Sequence, residues 1–269
     1  MSGYRNLAVA GAGNIGVFII EELLKQKDAG LIDNVYILTR ATSNNPDIPR
    51  LIALGAKPVG VDYSSTEGLT KALAPLNLDV LISTLGHVGT SLEVQWPLVD
   101  AIKAANIKLF VPSEFGNPTD GVTGGLLGKK GSLHDVLKEK GVNAAYFYTG
   151  PFADMIFEGY LEWDLAKGKA ETAMCRCHIP QGAILAGDRK TFNELFKQYE
   201  ERTGVKLTPN YRSKEELERT LEENPKHFSS MLQYSFLTHG GTVGRLDQLD
   251  NGEFPKWNPT KAIEFIARN

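Results

Sequence analysis

An α/β fold, built on a parallel sheet with helices on both faces, is what this sequence predicts, and three observations predict it. Short apolar runs alternate with amphipathic segments through the first half of the chain. A glycine-rich turn joins the first run to the first amphipathic segment. After Gly150-Pro151 the alternation stops, and a smaller, more polar and mixed α/β C-terminal lobe begins. Runs of this length, rich in Val, Ile, Leu and aromatics, read as buried strands, and repeated strand–helix–strand units build a parallel sheet. The expected division is therefore residues 1–150 and 151–269, the second lobe interleaved with the first domain.

The strands are expected at Leu7–Ala10, Val35–Leu38, Pro58–Val61, Val80–Ser83, Leu109–Val111 and Ala144–Tyr148. The helices between them are expected at Ile15–Lys27, Pro49–Leu54, Thr66–Ala74, Leu92–Ala105 and Lys129–Lys140. In the first helix Ile15, Phe18, Ile19, Leu23 and Gln26 fall near one face, with Glu21, Glu22 and Lys25 on the other. In the second lobe Phe152–Lys167 reads as a helix ended by Gly168, and Lys169–Gly187 is weakly patterned. Thr191-Phe192-Asn193-Glu194 and Ser213-Lys214-Glu215-Glu216 carry the capping-box signature and each open a helix. Lys206–Tyr211 between those helices reads as a short strand.

Composition narrows the function. The chain has 269 residues, with 29 Lys and Arg against 32 Asp and Glu, a net charge of −3. That balance argues against a protein that binds nucleic acid or anionic membrane by bulk charge. No apolar run reaches the roughly 18 residues of a membrane span. The two cysteines, Cys175 and Cys177, are too close in sequence for a disulfide framework and fit a reducing compartment. The first residues lead straight into a strand-like run without a signal-peptide pattern, so a cytoplasmic location is the expectation.

The most informative local pattern is Leu7-Ala8-Val9-Ala10-Gly11-Ala12-Gly13-Asn14-Ile15-Gly16, a strand, a Gly-x-Gly-x-x-Gly turn and a helix start. In a Rossmann-type dinucleotide site Gly11 allows the tight turn, Gly13 lets a pyrophosphate approach the backbone, and Gly16 lets the helix pack on the strand. Free N–H groups and the positive helix end then face the phosphates. The second strand ends in Thr39-Arg40, with Arg40 where NAD-preferring sites carry an acid. A guanidinium there suits the 2′-phosphate of NADP(H), although a solvated charge at a strand end is the plainer alternative. Asp62, after the third strand, is read either as an adenine contact or as part of the next helix cap.

Phe110-Val111-Pro112-Ser113-Glu114-Phe115-Gly116 resembles the Pro-Ser-Glu-Phe-Gly block of NmrA-like proteins, which include isoflavone-reductase-like and phenylpropanoid-reducing enzymes of the atypical short-chain dehydrogenase group. Arg40, Val80–Gly86, Gln95 with Leu98–Ala101, and Phe254-Pro255-Lys256-Trp257-Asn258-Pro259-Thr260 agree with the same pattern. The resemblance implies NADP(H) contacts from Gly11, Gly13, Asn14, Ile15, Gly16, Arg40, Thr84, Leu85 and Gly86. It also implies a catalytic lysine at the start of the helix after the block, which falls at Lys130, with Lys129 the competitor. A lysine in the first turn of a helix faces the positive dipole end, which lowers its pKa towards useful acid–base chemistry. None of the nine tyrosines has a lysine four residues later, so the usual Tyr-x-x-x-Lys dyad is absent. The chain departs from the family between Glu171 and Gly187, where it is short and where relatives carry part of the substrate lobe.

Phe115, Phe152 and Met155 follow strand ends and could wall a nicotinamide pocket, or simply pack the core. His134, one helical turn beyond Lys130, reads as a surface histidine or as a second group in the same cleft. Cys175-Arg176-Cys177-His178 reads as a surface loop rather than a metal site, because adjacent ligands cannot easily surround one tetrahedral ion. The expected activity is NADPH-dependent reduction of a small aromatic, phenylpropanoid-like substrate with Lys130 as general acid or base. The alternative is a non-catalytic NADP(H)-binding redox sensor acting on a regulatory protein partner. The sequence carries no interface signal for or against a homo-oligomer.

Overall fold

Five parallel strands form the sheet of the computed structural model, in the order β3-β2-β1-β4-β5. They are β1 Asn6–Ala10, β2 Asn34–Thr39, β3 Lys57–Gly60, β4 Val80–Ser83 and β5 Leu109–Val111. The structure describes residues 3–86, 92–123, 125–153, 156, 160–172, 183–241, 243–244 and 246–266. Connections run through α1 Gly16–Asp28, α2 Asp47–Ala53, α3 Thr66–Leu73 and α4 Trp96–Ala104, and α5 Gly125–Glu139 follows β5. The strand order reverses direction between β1 and β4, and in open α/β sheets ligands bind outside the strand ends at such a point.

The strands are buried because both faces are covered. Ala8, Ala10, Leu38, Leu81 and Phe110 are inaccessible on one face, where Leu69, Leu98, Ile102, Leu133 and Leu137 close over them from the helices, and the alternate residues Val9, Val35 and Ile37 are inaccessible too. A run with no polar alternation has no solvent side to offer, so only a doubly covered sheet satisfies it.

One polar side chain pins the sheet at the end away from the glycine turn. Asp79, 7 % exposed, accepts the Arg5 N–H at 2.7 Å, the Asn6 N–H at 2.9 Å and the Lys108 Nζ at 2.6 Å. It thus ties the starts of β1, β4 and β5. Burial pushes its carboxyl up, but the Lys108 ammonium and the two backbone donors outweigh that and hold it below the ordinary carboxylate range. A depressed folded pKa contributes stability that is complete above the unfolded value of about 3.9 and is lost as pH falls through the folded value. Asp79→Ala is expected to cost about 3 kcal/mol near neutral pH, since charge-assisted bonds are lost and backbone donors are stranded. Thermal melts from pH 7 to pH 2 check this: the deficit relative to the unmodified protein shrinks at the acid end.

The chain divides into two units, residues 1–113 with 119–146, and residues 114–118 with 147–269. In the second unit β6 Phe147–Tyr148 pairs in parallel with β8 Ala183–Ile184, and β7 Lys169–Thr172 pairs in parallel with β9 Thr208–Tyr211. Helices cover Phe192–Thr203, Lys214–Glu223, Phe228–His239 and Ala262–Ile266. Both expected capping boxes form, with Thr191 against Glu194 and Ser213 against Glu216. Trp163 anchors an aromatic cluster, meeting Phe192 and Phe196 edge-on at 5.0 and 5.1 Å.

Three segments of the second half differ from, or add to, what the sequence pattern predicts. The 152–167 helix does not reach its expected end: Glu162 takes a left-handed φ of 58°, and Asp164 caps a separate 3-10 turn over Leu165–Lys167. The expected strand Ala144–Tyr148 is instead an isolated parallel bridge, Ala144 to Phe110, followed by the short β6. The weakly patterned 169–187 stretch contains two strands, β7 and β8, in its described part. Among the described residues no helix is long and apolar enough to cross a membrane.

Candidate dinucleotide site

The turn between β1 and α1 is held from two sides. Gly11, at φ 96°, donates its N–H to the Leu38 carbonyl at 3.1 Å, and the Tyr63 hydroxyl donates to the same oxygen at 2.9 Å. On the other side Thr84 donates its N–H to the Ala10 carbonyl at 2.9 Å, and its hydroxyl lies 3.1 Å from the carbonyl oxygens of both Ala10 and Gly11. The three glycines are there for different reasons. A Cβ on Gly16 would sit 2.3 Å from the Gly11 carbonyl oxygen, so helix and turn pack as closely as backbone allows. A Cβ on Gly11 would sit 3.0 Å from Thr84 Oγ1, in a conformation that already favours glycine. A Cβ on Gly13 would meet nothing within 4 Å, so this backbone is open to approach.

α1 begins with no side-chain cap at Ile15 and no acid in its first turn. The Val17 N–H is taken by the Gly13 carbonyl at 3.0 Å, and the positive helix end carries no side chain that would compete with an anion. A cavity of about 570 Å³ opens beside the turn, with Gly13 and Asn14 on one wall and Asn45 and Pro46 on another. Phe18 and Arg50 also line it, but the Arg50 guanidinium is paired with Glu21 and Asp47. The open backbone at Gly13 and the uncapped helix fit a dinucleotide pyrophosphate.

The structure brings Gly11, Gly13, Asn14, Ile15, Gly16, Thr84 and Leu85 around one turn, with Gly86 next, at φ 115°. A Cβ on Gly86 would lie 2.2 Å from Leu92 Cδ2. Arg40 stands exposed just beyond β2, outside the lining of the cavity, and pairs with no carboxylate among the described residues. Burial raises the Tyr63 phenol, and the Arg40 charge pulls the other way. Asp62 shapes the turn before α3: its Oδ1 accepts the Ser64 hydroxyl at 2.6 Å and N–H at 2.9 Å, which hold its carboxyl below the usual range. Ser65 is the cap of α3.

Lys130 lies on α5, but the helix begins at Gly125, four residues before its expected start. Lys130 is thus the sixth residue, past the first turn where the dipole is felt, and that part of the pKa argument falls away. Glycines explain the hidden start. A Cβ on Gly131 would lie 2.6 Å from the Thr119 carbonyl oxygen, and one on Gly128 would lie 2.9 Å from the Thr123 carbonyl carbon. Lys130 is half-buried, whereas Lys129 is exposed and paired with Glu93 at 3.0 Å. His134, on the Lys130 face of the helix, is not a surface residue. Its side chain is 11 % exposed and lies tilted by 31° against the Tyr146 ring, centroids 4.2 Å apart, with Nε2 3.5 Å from Thr119 Oγ1 and Nδ1 3.7 Å from Asp120.

The Pro112–Gly116 block carries strain. Phe115 holds a φ of 31°, unusual for a bulky residue, while Ser113 donates its N–H to buried Gln95 at 3.1 Å and Gly116 accepts the Gly150 N–H at 3.1 Å. Phe115 and Phe152 belong to the second unit and are partly buried in it. Met155 and the Cys175–His178 cluster lie outside the described residues. Among the described residues no three His, Cys, Asp or Glu side chains group as a metal site. Sequence reasoning missed Tyr63 and Asn45, whose side chains fasten the turn from neighbouring loops; the Asn45-Pro46-Asp47 turn signature was the one cue for the second.

A parallel sheet in the order β3-β2-β1-β4-β5, with this glycine turn at its switch point, defines a Rossmann-type α/β protein. The NmrA-like family profile matches residues 5–182, and the chain belongs to that family. It is homologous to reductases. An isoflavone reductase homolog from Solanum tuberosum is 35 % identical over 157 residues, spanning 55 % of this chain and 48 % of that protein, about half its length. Isoflavone reductase homolog A622 from Nicotiana glauca is 27 % identical over 312 aligned positions, covering 97 % of this chain and 96 % of the relative. That alignment is longer than the 269 residues here, so the relative carries stretches without a counterpart in this chain. Among solved structures, the fold matches that of AtPrR2, solved with NADP+ and (+)-pinoresinol, with a TM-score of 0.80 and 19 % identity over 99 % of both chains.

Proposed function

We propose that this chain is an NADPH-dependent reductase of a small aromatic, phenylpropanoid-like molecule, with Lys130 as general acid. The observation that carries the reading is the glycine turn, with its exposed backbone at Gly13 and an uncapped helix behind it. Gly13, Asn14 and Ile15 would hold the pyrophosphate through backbone N–H groups. Arg40, exposed and without a carboxylate partner among the described residues, would hold the 2′-phosphate. NADPH, when bound, would supply a hydride, and Lys130 Nζ would donate the proton that completes the reduction. The names of the relatives, isoflavone reductase homologs and a pinoresinol-bound neighbour, support the aromatic substrate class.

Titrating the purified protein with NADPH and NADH tests the reading. NADPH is expected to bind at least about tenfold more tightly, roughly 1.4 kcal/mol. Arg40→Ala is expected to remove that preference and leave NADH binding unchanged. A folded protein that binds neither nucleotide overturns the proposal.

A further inference from the structure

Asn45 sits in the loop between β2 and α2, far in sequence from the glycine turn, yet its side chain is spent on that turn. Its Nδ2 donates to the Ala12 carbonyl at 2.6 Å, and its Oδ1 accepts the Asp47 N–H at 2.8 Å. The second bond fixes the amide on its own loop, so the first is made by an oriented donor and not by a swinging one. The loop is itself closed by the Ser43 N–H on the Arg40 carbonyl at 2.9 Å and the Ile48 N–H on the Asn45 carbonyl at 3.3 Å.

The Ala12 carbonyl belongs to the peptide plane that carries the Gly13 N–H. In a planar trans peptide these two groups point in opposite directions. Holding the oxygen on Asn45 therefore fixes the Gly13 N–H on the other side. The Gly13 carbonyl, in the following peptide, accepts the Val17 N–H at 3.0 Å, so the Asn45 bond acts on the Ala12–Gly13 plane specifically. Glycine flanks Ala12 on both sides, and such a peptide plane would otherwise rotate at little cost. A rotated plane would turn the Ala12 oxygen, a negative dipole end, towards an anion at the turn.

We infer that Asn45 is the positioning residue of the pyrophosphate cradle, acting through the Ala12–Gly13 peptide. The inference rests on the proposed dinucleotide site and assigns to this loop a duty separate from 2′-phosphate recognition. It predicts a particular pattern, because the pyrophosphate is common to NADPH and NADH. Asn45→Ala should weaken both nucleotides about tenfold, by the same factor, leaving the NADPH preference intact. Asn45→Asp should weaken both more, about thirtyfold. It is nearly isosteric and keeps the Asp47 contact, but it sets a carboxylate oxygen against the Ala12 carbonyl.

The test measures dissociation constants for NADPH and NADH on the unmodified protein, both Asn45 variants and Arg40→Ala, with a thermal melt on each. Equal losses for the two nucleotides in the Asn45 variants, beside a selective NADPH loss in Arg40→Ala, uphold the inference. Unchanged affinities in Asn45 variants that remain folded overturn it, whatever the melts show, because the side chain would then serve stability alone. A loss confined to NADPH overturns it too, since Asn45 would be acting on the 2′-phosphate. Binding of neither nucleotide by the unmodified protein removes the proposed function, and this inference falls with it. If Asn45→Ala does not fold, the near-isosteric Asn45→Asp decides between the same outcomes.

Discussion

Lys130→Ala is expected to leave NADPH affinity unchanged and to lower turnover by a factor of about 10² to 10⁴, the range that a positioned proton donor contributes. The separation of the two effects is what identifies the role. The lysine is placed on α5, whereas the proposed phosphate contacts come from the β1–α1 turn and Arg40, so binding and proton transfer should divide cleanly between variants. Lys129→Ala is the control. Its ammonium is paired with Glu93 on the exposed side, and losing a surface pair costs about 1 kcal/mol or less. Turnover should stay within about twofold of the unmodified protein, an effect well under 1 kcal/mol. NADPH oxidation against a panel of isoflavone-, lignan- and phenylcoumaran-type substrates measures both. If the Lys129 variant is the inactive one, the assignment moves by one residue. A protein that binds NADPH and reduces no panel member would instead fit a redox sensor with a protein partner.

The second large effect is at Gly16. An alanine there would put its Cβ 2.3 Å from the Gly11 carbonyl oxygen and 2.8 Å from Thr84 Oγ1. Backbone cannot step aside as a side chain can, so α1 must move off the sheet or the turn must open. Overpacking of this kind costs about 1–3 kcal/mol or more, and it deforms the site itself. Gly16→Ala is expected to lower the melting temperature and to weaken NADPH by at least about a hundredfold, near 2.7 kcal/mol. Gly13→Ala separates the two consequences. Its methyl group meets nothing within 4 Å, so stability should change by less than about 1 kcal/mol. Nucleotide binding should still weaken, because the methyl group stands where a phosphate would approach. Thermal melts and nucleotide titrations on the pair check both arms.

The sheet was legible in the sequence because its strands are buried on both faces and read as unbroken apolar runs. β4 and β5 fall on Val80–Ser83 and Leu109–Val111 as expected, and the others agree within one residue at each end. The glycine turn was legible for a related reason, since three separate steric demands select glycine at three fixed spacings. The start of α5 was hidden by its glycines, poor helix formers, of which Gly128 and Gly131 are retained because the 119–123 backbone lies against the helix. The 152–167 segment misled because Leu161, Trp163 and Leu165 suit a helical face, yet the chain breaks at Glu162 and buries Leu161 and Trp163 from irregular backbone. Asn45 and Tyr63 escaped because they act on the turn through long-range bonds to backbone, for which a linear pattern carries no period.

The position of Thr84 also says something about the order in which the molecule can assemble. β1 meets β2 across 28 residues, Asn6 to Asn34, but meets β4 across 73, Leu7 to Val80. Closing the longer loop costs about 0.8 kcal/mol more chain entropy, so the β1–β2 half is the nearer one to form. Until β4 docks, the Ala10 and Gly11 carbonyls lack the hydroxyl that braces them, and the turn has only its Leu38 side. A complete cradle is present only when the central ladder has closed, so a ligand that needs both sides acts on the finished sheet and not on one half of it.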